Sequence, residues 1–200
     1  RILERDWDTL IILDCARYDI FAESIGAAGS LSKERSAAAV TSNFIRRNFS
    51  ERKAHDLVYL SANPVVGAQE EYLDIFKLVG AWKEDNSQKR GQENPNAITD
   101  PDPVIEMAEE LHETYPHKRH IVHLLPPHVP HRFRGGKELS GNSPYRNYQA
   151  ARNGDVSEQE MREVYVENLQ AVLQKTLALA DNLGGKIVIT ADHGELLGEG

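Results

Sequence analysis

The chain of 200 residues contains a single cysteine, Cys15, so no disulfide can form within it. No apolar run reaches the ~18 residues that a membrane-spanning helix requires, and the charged first residues, 1–6, do not fit a signal peptide. Basic runs are also scarce, and the net charge of -8 argues against nonspecific nucleic-acid binding. We therefore expect no nucleic-acid partner and no membrane segment in this chain. These absences slightly favour a cytoplasmic location, but they do not fix the compartment.

The remaining composition is that of a globular protein, with 40% hydrophobic and 27% charged residues. A chain of this length can bury a substantial core, so we expect residues 1–200 to form a single domain. It starts almost inside a predicted strand and stops in a glycine-rich loop. We therefore expect a segment of a longer protein, incomplete at its C-terminus.

Apolar runs and amphipathic segments alternate along the chain, which predicts an α/β fold with a mainly parallel sheet sandwiched by helices. The predicted strands cover residues 8–13, 56–61, 120–125 and 186–189. The predicted helices cover residues 16–28, 43–49, 101–115 and 158–183. The pattern weakens between residues 67 and 102, and residues 84–100 and 132–154 are predicted as irregular segments, the second a long loop or lid.

Acidic residues and a histidine follow two predicted strands at opposite ends of the chain. Asp14 closes the first strand, and Asp192 and His193 follow the last one. Ligands of open α/β sheets bind at the carboxyl ends of the strands, where these side chains are expected to meet. Two carboxylates and an imidazole suit a divalent metal ion, for which manganese, zinc, magnesium and calcium are all candidates.

A hydroxyl residue, Thr41 or Ser42, precedes the short helix predicted over residues 43–49. Backbone N–H groups at a helix N-terminus attract anions, and a hydroxyl beside a bound cation becomes a nucleophile. The pattern therefore indicates attack on a phosphoryl or sulfuryl ester. A simple helix N-cap is the alternative for either residue.

Several further residues are candidates for contact with the substrate. His128 and His131, which follow a predicted strand, and Arg17, in the first predicted helix, are these candidates, with a structural or solvent-exposed role as the alternative. His123 alternates with apolar residues on a strand and is predicted to be a buried, hydrogen-bonded imidazole. A cysteine phosphatase needs an arginine six residues after its cysteine, but Phe21 occupies that position after Cys15. Cys15 is therefore predicted to be a small buried residue.

Three segments together resemble the alkaline phosphatase superfamily, specifically its sulfatase-like branch. Residues 11–19, an aspartate closely followed by an arginine, are similar to the first metal-binding strand of that branch. Residues 123–130 resemble its histidine-containing, proline-rich substrate-side motif, and residues 190–199 its second metal-binding strand and loop. The resemblance implies an alkaline-phosphatase-like fold. It also implies one metal ion held by Asp14, Asp192 and His193, with the nucleophile Thr41 as fourth ligand and His128 at the substrate.

The sequence also departs from true sulfatases. It lacks their Cys/Ser-x-Pro-x-Arg motif and their paired aspartates, which suits a phosphoglycerol or phosphoethanolamine transferase, or an archaeal-type sulfatase-like protein, better. We therefore expect a metal-dependent hydrolase or transferase of phosphate esters, less so of sulfate esters, on a small molecule or a polymer. The alternatives are a degenerate domain that acts as a binding module, and a sulfatase whose nucleophile lies elsewhere in this region.

Overall fold

The structure is a computed structural model that describes residues 1–26, 29–83 and 100–197. Five parallel strands form its central sheet in the order β3-β2-β4-β1-β7. Their bounds are β1 Thr9–Leu13, β2 Lys53–Ser61, β3 Asp74–Gly80, β4 Arg119–Leu124 and β7 Ile187–Thr190. A separate antiparallel hairpin is formed by β5 Phe133–Arg134 and β6 Lys137–Glu138. The predicted α/β class with a mainly parallel sheet is confirmed.

Helices cover both faces of the sheet. Their bounds are α1 Tyr18–Ser24, α2 Thr41–Phe49, α3 Pro64–Gly67, α4 Pro101–Thr114, α5 Gln149–Asn153 and α6 Glu158–Asn182. Alternate side chains of β1 point to opposite faces. Ile11 and Leu13 join the core formed with α1, α4 and α6, and Leu10 and Ile12 join the core formed with α2 and α3. The apolar run of residues 10–13 in β1 is typical of a strand buried on both faces.

The longest helix, α6, carries the chain across one face of the sheet and back to β7. It begins with a capping box, in which the Ser157 hydroxyl oxygen accepts from the backbone N–H of Glu160 and the Glu160 carboxylate accepts from that of Ser157. Among the described helices, none is both long and apolar enough to cross a bilayer.

The structure corrects several predicted elements. Strand β3 was not predicted, α1 begins at Tyr18 instead of Ala16, and residues 132–154 contain the hairpin and α5 where only a loop was expected. The predicted end of the first helix at residues 27–28, the polar segment 84–99 and the last three residues of the chain lie outside the described residues.

Candidate metal centre

Asp14, Asp192 and His193 converge at the carboxyl edge of the sheet. One ligand atom from each lies within 4.8 Å of the other two. This follows from the sheet order, because β1 and β7 are neighbours with Ile12 opposite Thr190, and all three side chains come just beyond the strand ends. Both aspartates are fully buried. The residues predicted from the two ends of the chain therefore form one cluster.

The two carboxylate oxygens of Asp14 have different surroundings. Oδ2 accepts hydrogen bonds from Asn63 Nδ2 at 2.5 Å and His123 Nε2 at 3.1 Å. Oδ1 is buried without a hydrogen-bond partner. Burial opposes ionisation of Asp14, but the hydrogen bond and charge of His123, with the charge of His128 and the Asn63 amide, lower its pKa below the usual range. A buried carboxylate oxygen without a partner is costly unless a cation satisfies it.

Asp192 is fixed by donors on both oxygens. Its Oδ1 accepts from the backbone N–H groups of Cys15 at 3.1 Å and His193 at 2.9 Å. Its Oδ2 accepts from the hydroxyl of Thr41 at 2.8 Å. The carboxylate therefore ties β1, α2 and the loop after β7 together.

His193 presents a lone pair to the two aspartates. Its Nδ1 lies 2.8 Å from the carbonyl oxygen of Gly194, so it is assigned as the protonated nitrogen and Nε2 as the acceptor. Nε2 lies 3.7 Å from Oδ1 of Asp14 and 3.5 Å from Oδ2 of Asp192. A shared cation would satisfy these three atoms, and a backbone acceptor behind the ring is usual for a metal-ligating histidine.

Thr41 belongs to the same cluster. Its side chain is buried, and its Oγ1 lies 3.5 Å from Nε2 of His193 and 3.3 Å from Nδ2 of Asn63. It is not the helix N-cap that was the alternative to a nucleophile, because α2 begins at Thr41 itself and Val40 occupies the capping position. The alternative, Ser42, is the next helical residue and is only half-buried.

His123 supports the centre from behind. Its ring is fully buried. Nε2 lies 3.1 Å from Oδ2 of Asp14, and Nδ1 lies 3.0 Å from the hydroxyl of Tyr59. Burial acts against the charged ring, but the hydrogen bond and charge of Asp14 outweigh it and raise the pKa of His123. The expected buried, hydrogen-bonded imidazole is confirmed, and its contact with Asp14 adds a positioning role.

The predicted substrate residues lie in three different environments. His128 is half-buried and approaches Asp14. His131 is buried, and its ring packs edge-on against Tyr148 and Tyr165 with centroids 5.8 and 6.3 Å away. Burial, followed by the charges of His128 and Arg146, lowers the pKa of His131 to about 4.

Arg17, the third of these residues, is already paired with a carboxylate. Its guanidinium forms a two-point contact with the carboxylate of Asp19 at 3.0 and 2.7 Å. A third nitrogen lies 3.4 Å from the carbonyl oxygen of Glu195, in the loop after β7. Arg17 therefore links α1 to the loop after β7. Contact with an anion would require Arg17 to share its donors between the anion and these partners.

Asn63 and Cys15, like His123, were not among the predicted site residues. Asn63 donates to both Asp14 and Thr41, and its own Oδ1 caps α3 by accepting from Val65 N at 2.9 Å. An asparagine before a proline, just after a predicted strand, is a helix-start signal that could have placed it at this edge.

Cys15 was also not among the predicted site residues. It is fully buried as expected, yet its backbone has a φ of 51° and its carbonyl oxygen accepts from the hydroxyl of Tyr165 at 2.8 Å. Burial, then the charges of Asp14 and Glu195, raise the pKa of its thiol far above the usual range. Without a cation, the thiol therefore stays protonated.

Comparison with known proteins gives one point of reference. The chain is similar to the low-salt glycan biosynthesis sulfotransferase Agl7 of Haloferax volcanii, with 26% identity over 204 aligned residues. The alignment covers 96% of this chain and 47% of that protein, so the chain spans about half the length of this relative. No family model matches the chain, and no solved structure matches it significantly.

Proposed function

We propose that this chain carries the metal centre and nucleophile of an enzyme that transfers or hydrolyses sulfate or phosphate esters. The buried, unpartnered Oδ1 of Asp14, in one cluster with Asp192, His193 and the Thr41 hydroxyl, is the observation on which the proposal rests. Similarity to a glycan biosynthesis sulfotransferase favours sulfuryl transfer to or from a polymer-linked sugar over the phosphate ester preferred from the sequence. In this proposal, residues 1–200 are one incomplete, alkaline-phosphatase-like domain.

Asp14, Asp192 and His193 would hold the cation, with Thr41 as a fourth ligand. Two carboxylates, one imidazole and one hydroxyl fit manganese or zinc, and tolerate magnesium or calcium. Bound there, a divalent cation supplies positive charge that stabilises the deprotonated Thr41 oxygen and an oxygen of the ester.

Thr41 Oγ1 would form the new bond to sulfur or phosphorus while the bond to the departing ester oxygen breaks. The Thr41 proton, which is directed at Oδ2 of Asp192, would be released to solvent when the cation binds, which leaves the Oγ1 lone pairs for attack. Attack by water or an acceptor hydroxyl on the esterified Thr41 then restores the free side chain. His128 has its Nδ1 on the carbonyl oxygen of Val129 at 2.6 Å. When its Nε2 is also protonated, it can donate a hydrogen bond to an ester oxygen or give this proton to the leaving alcohol.

Asn63 and His123 would act as positioning residues. Asn63 holds Asp14 and Thr41 in one geometry, since its amide donates to both. His123 occupies the remaining acceptor position of Asp14 Oδ2 and so directs Oδ1 into the cluster. Such supporting contacts commonly change metal affinity or activity by about 10–100-fold.

The alternative of a catalytically degenerate binding module has one observation in its favour. The guanidinium of Arg17 is engaged by Asp19, so it would add less stabilisation to the charge that develops during transfer. A module of this kind would bind metal and an anionic ester through the other residues of the cluster without turning the ester over.

Hydrolysis of an aryl sulfate and an aryl phosphate by the full-length protein, in the presence of Mn²⁺, tests the proposal. Thr41→Ala should reduce turnover by at least about 10³-fold, as expected for the loss of a nucleophile. Ser42→Ala, which removes the neighbouring hydroxyl, is the matched control and should retain turnover. Equal activity of the wild type and Thr41→Ala would exclude Thr41 as the nucleophile. Metal-dependent binding of both esters without turnover would favour the binding module.

A further inference from the structure

A second group of possible metal ligands lies beside the first. The thiol of Cys15, a ring nitrogen of His128 and a carboxylate oxygen of Asp14 all lie within 4.8 Å of one another. Asp14 is common to both groups, whereas Cys15 and His128 have no place in the first one. The candidate centre therefore extends toward the substrate side through a sulfur and an imidazole.

The surroundings of Asp14 also allow a ligand between these groups. Its Oδ2 is engaged by Asn63 and His123. Its Oδ1, within a fully buried side chain, has no hydrogen-bond partner. This is the oxygen left to face a cation, and one carboxylate oxygen can serve two neighbouring cations.

His128 is oriented to contribute a lone pair. Its Nδ1 lies 2.6 Å from the carbonyl oxygen of Val129, so Nδ1 is assigned as the donor and Nε2 as the free acceptor. A backbone acceptor on one ring nitrogen is the usual support for a histidine that binds metal through the other. His128 is only half-buried, which leaves an approach for an ion from solvent.

The backbone at Cys15 is held in an uncommon conformation. Its φ of 51° lies in the left-handed region, which residues other than glycine, asparagine and aspartate seldom adopt. Contacts on both sides hold it, with its N–H on Asp192 and its carbonyl oxygen on the Tyr165 hydroxyl. The thiol is therefore fixed next to Asp14.

From these contacts we infer that Cys15, Asp14 and His128 form a second cation subsite, selective for a thiophilic divalent ion such as Zn²⁺ or Cd²⁺. Thiolate and imidazole are preferred by zinc and its heavier relatives, and a thiolate is a poor ligand for Mg²⁺ or Ca²⁺. On binding, a metal–sulfur bond forms and the thiol proton is released to solvent. No oxidation or reduction is involved.

The subsite has a consequence for the proposed reaction, and this consequence rests on the proposed function. The Nε2 atom of His128 cannot bind a cation and an ester oxygen at the same time. A thiophilic ion in excess of that needed by the first centre should therefore inhibit turnover, and Cys15→Ser should relieve this inhibition.

Titration of the protein with Cd²⁺ alone, followed by ultraviolet absorption, tests the subsite without any activity assay. Cys15 is the one cysteine of the 200 residues, so a thiolate-to-cadmium charge-transfer band within this chain can arise only there. We expect a saturable band that Zn²⁺ displaces and Mg²⁺ does not. Absence of the band in the wild type, at Cd²⁺ concentrations where the ion binds, would overturn the inference.

Variants separate this subsite from the first centre. Asp192→Asn should keep the band, Cys15→Ser should lose it, and His128→Ala should weaken Cd²⁺ binding at the band by at least about tenfold. His117→Ala, at an exposed histidine, is the control for loss of an imidazole. A band of unchanged affinity in His128→Ala would show adventitious thiol binding and overturn the inference. A band in a protein without turnover would leave the subsite standing while the proposed function fails.

Discussion

The hydroxyl of Thr41 lies 2.8 Å from Oδ2 of Asp192, although 151 residues separate the two along the chain. Thr41 opens a helix on one face of the sheet, and Asp192 follows the strand at its edge. A buried hydrogen bond to a charged acceptor commonly contributes about 1.5–3 kcal/mol. It fixes this hydroxyl among the candidate metal ligands and explains why Thr41, and not Ser42, is the candidate nucleophile.

Loss of the Asn63 amide should loosen the centre without loss of the helix cap. Asn63→Ser keeps a side-chain oxygen that can cap α3 but removes the donor to Asp14 and Thr41. We expect a loss of about 1.5–3 kcal/mol in the free energy of unfolding, measured by urea denaturation of the metal-free protein. A loss below about 0.5 kcal/mol would mean that the amide does not hold Asp14 in solution.

The Tyr165 hydroxyl should stabilise the turn that carries Cys15. It donates to the carbonyl oxygen of Cys15 at 2.8 Å and accepts from the N–H of Arg17 at 2.9 Å. Tyr165→Phe should lower the free energy of unfolding by about 1–3 kcal/mol, because two backbone groups lose their partner in a buried position. Tyr18→Phe, at an exposed tyrosine, is the control and should change it by less than about 0.5 kcal/mol. Similar values for the two variants would contradict the role of Tyr165.

His120 should make the protein sensitive to acid. It stacks on His112 at the opposite end of the sheet, with ring centroids 3.7 Å apart, and burial followed by the charge of His112 lowers its pKa from 6.5 to about 4. Because the unfolded chain takes up this proton at a higher pH, stability is retained above pH 6.5 and is lost as the pH falls toward 4.

Acid lowers the free energy of unfolding, and we expect His120→Phe to remove roughly 1–2 kcal/mol of that decrease. This is less than the pKa difference alone implies, because the ring lines a cavity open to solvent. Comparison of the free energy of unfolding at neutral pH and near pH 4.5 measures the effect. His117→Phe, at an exposed position, provides the comparison. An unchanged pH dependence in His120→Phe would show that His120 does not titrate in this way.

The sheet was predictable where a strand is a continuous apolar run. Such runs identified the buried central strand β1 and the half-buried edge strand β7 and, with them, the positions of Asp14 and Asp192. Strand β3 escaped prediction because Asp74 and Lys77 interrupt its apolar pattern. It lies at the other edge of the sheet, where only its last residues are buried and Phe76 remains 46% exposed.

The neighbours of the metal ligands were harder to predict because they depend on the strand order. Asn63 follows β2, which is separated from β1 by β4, and yet its amide reaches Asp14. His123 reaches Asp14 from β4 itself. Sequence spacing indicates which residues follow a strand but not which strands are adjacent. The hydrogen bonds of Asn63 could therefore be identified only from the structure. The same holds for Val40, which takes the N-cap position of α2 in place of Thr41.

Binding of Mn²⁺, a cation with little affinity for thiolate, tests most directly whether Asp14, Asp192 and His193 form a metal site. Equilibrium dialysis and thermal unfolding, with Mn²⁺ or with chelator, should be carried out on the wild type, on Asp192→Asn and on Asp155→Asn, a change at an exposed aspartate. We predict saturable binding and stabilisation of about 2.7 kcal/mol at 100 times the dissociation constant for the wild type and Asp155→Asn, and neither for Asp192→Asn. A wild-type chain that binds no Mn²⁺ and unfolds at the same temperature with and without chelator would contradict the metal centre.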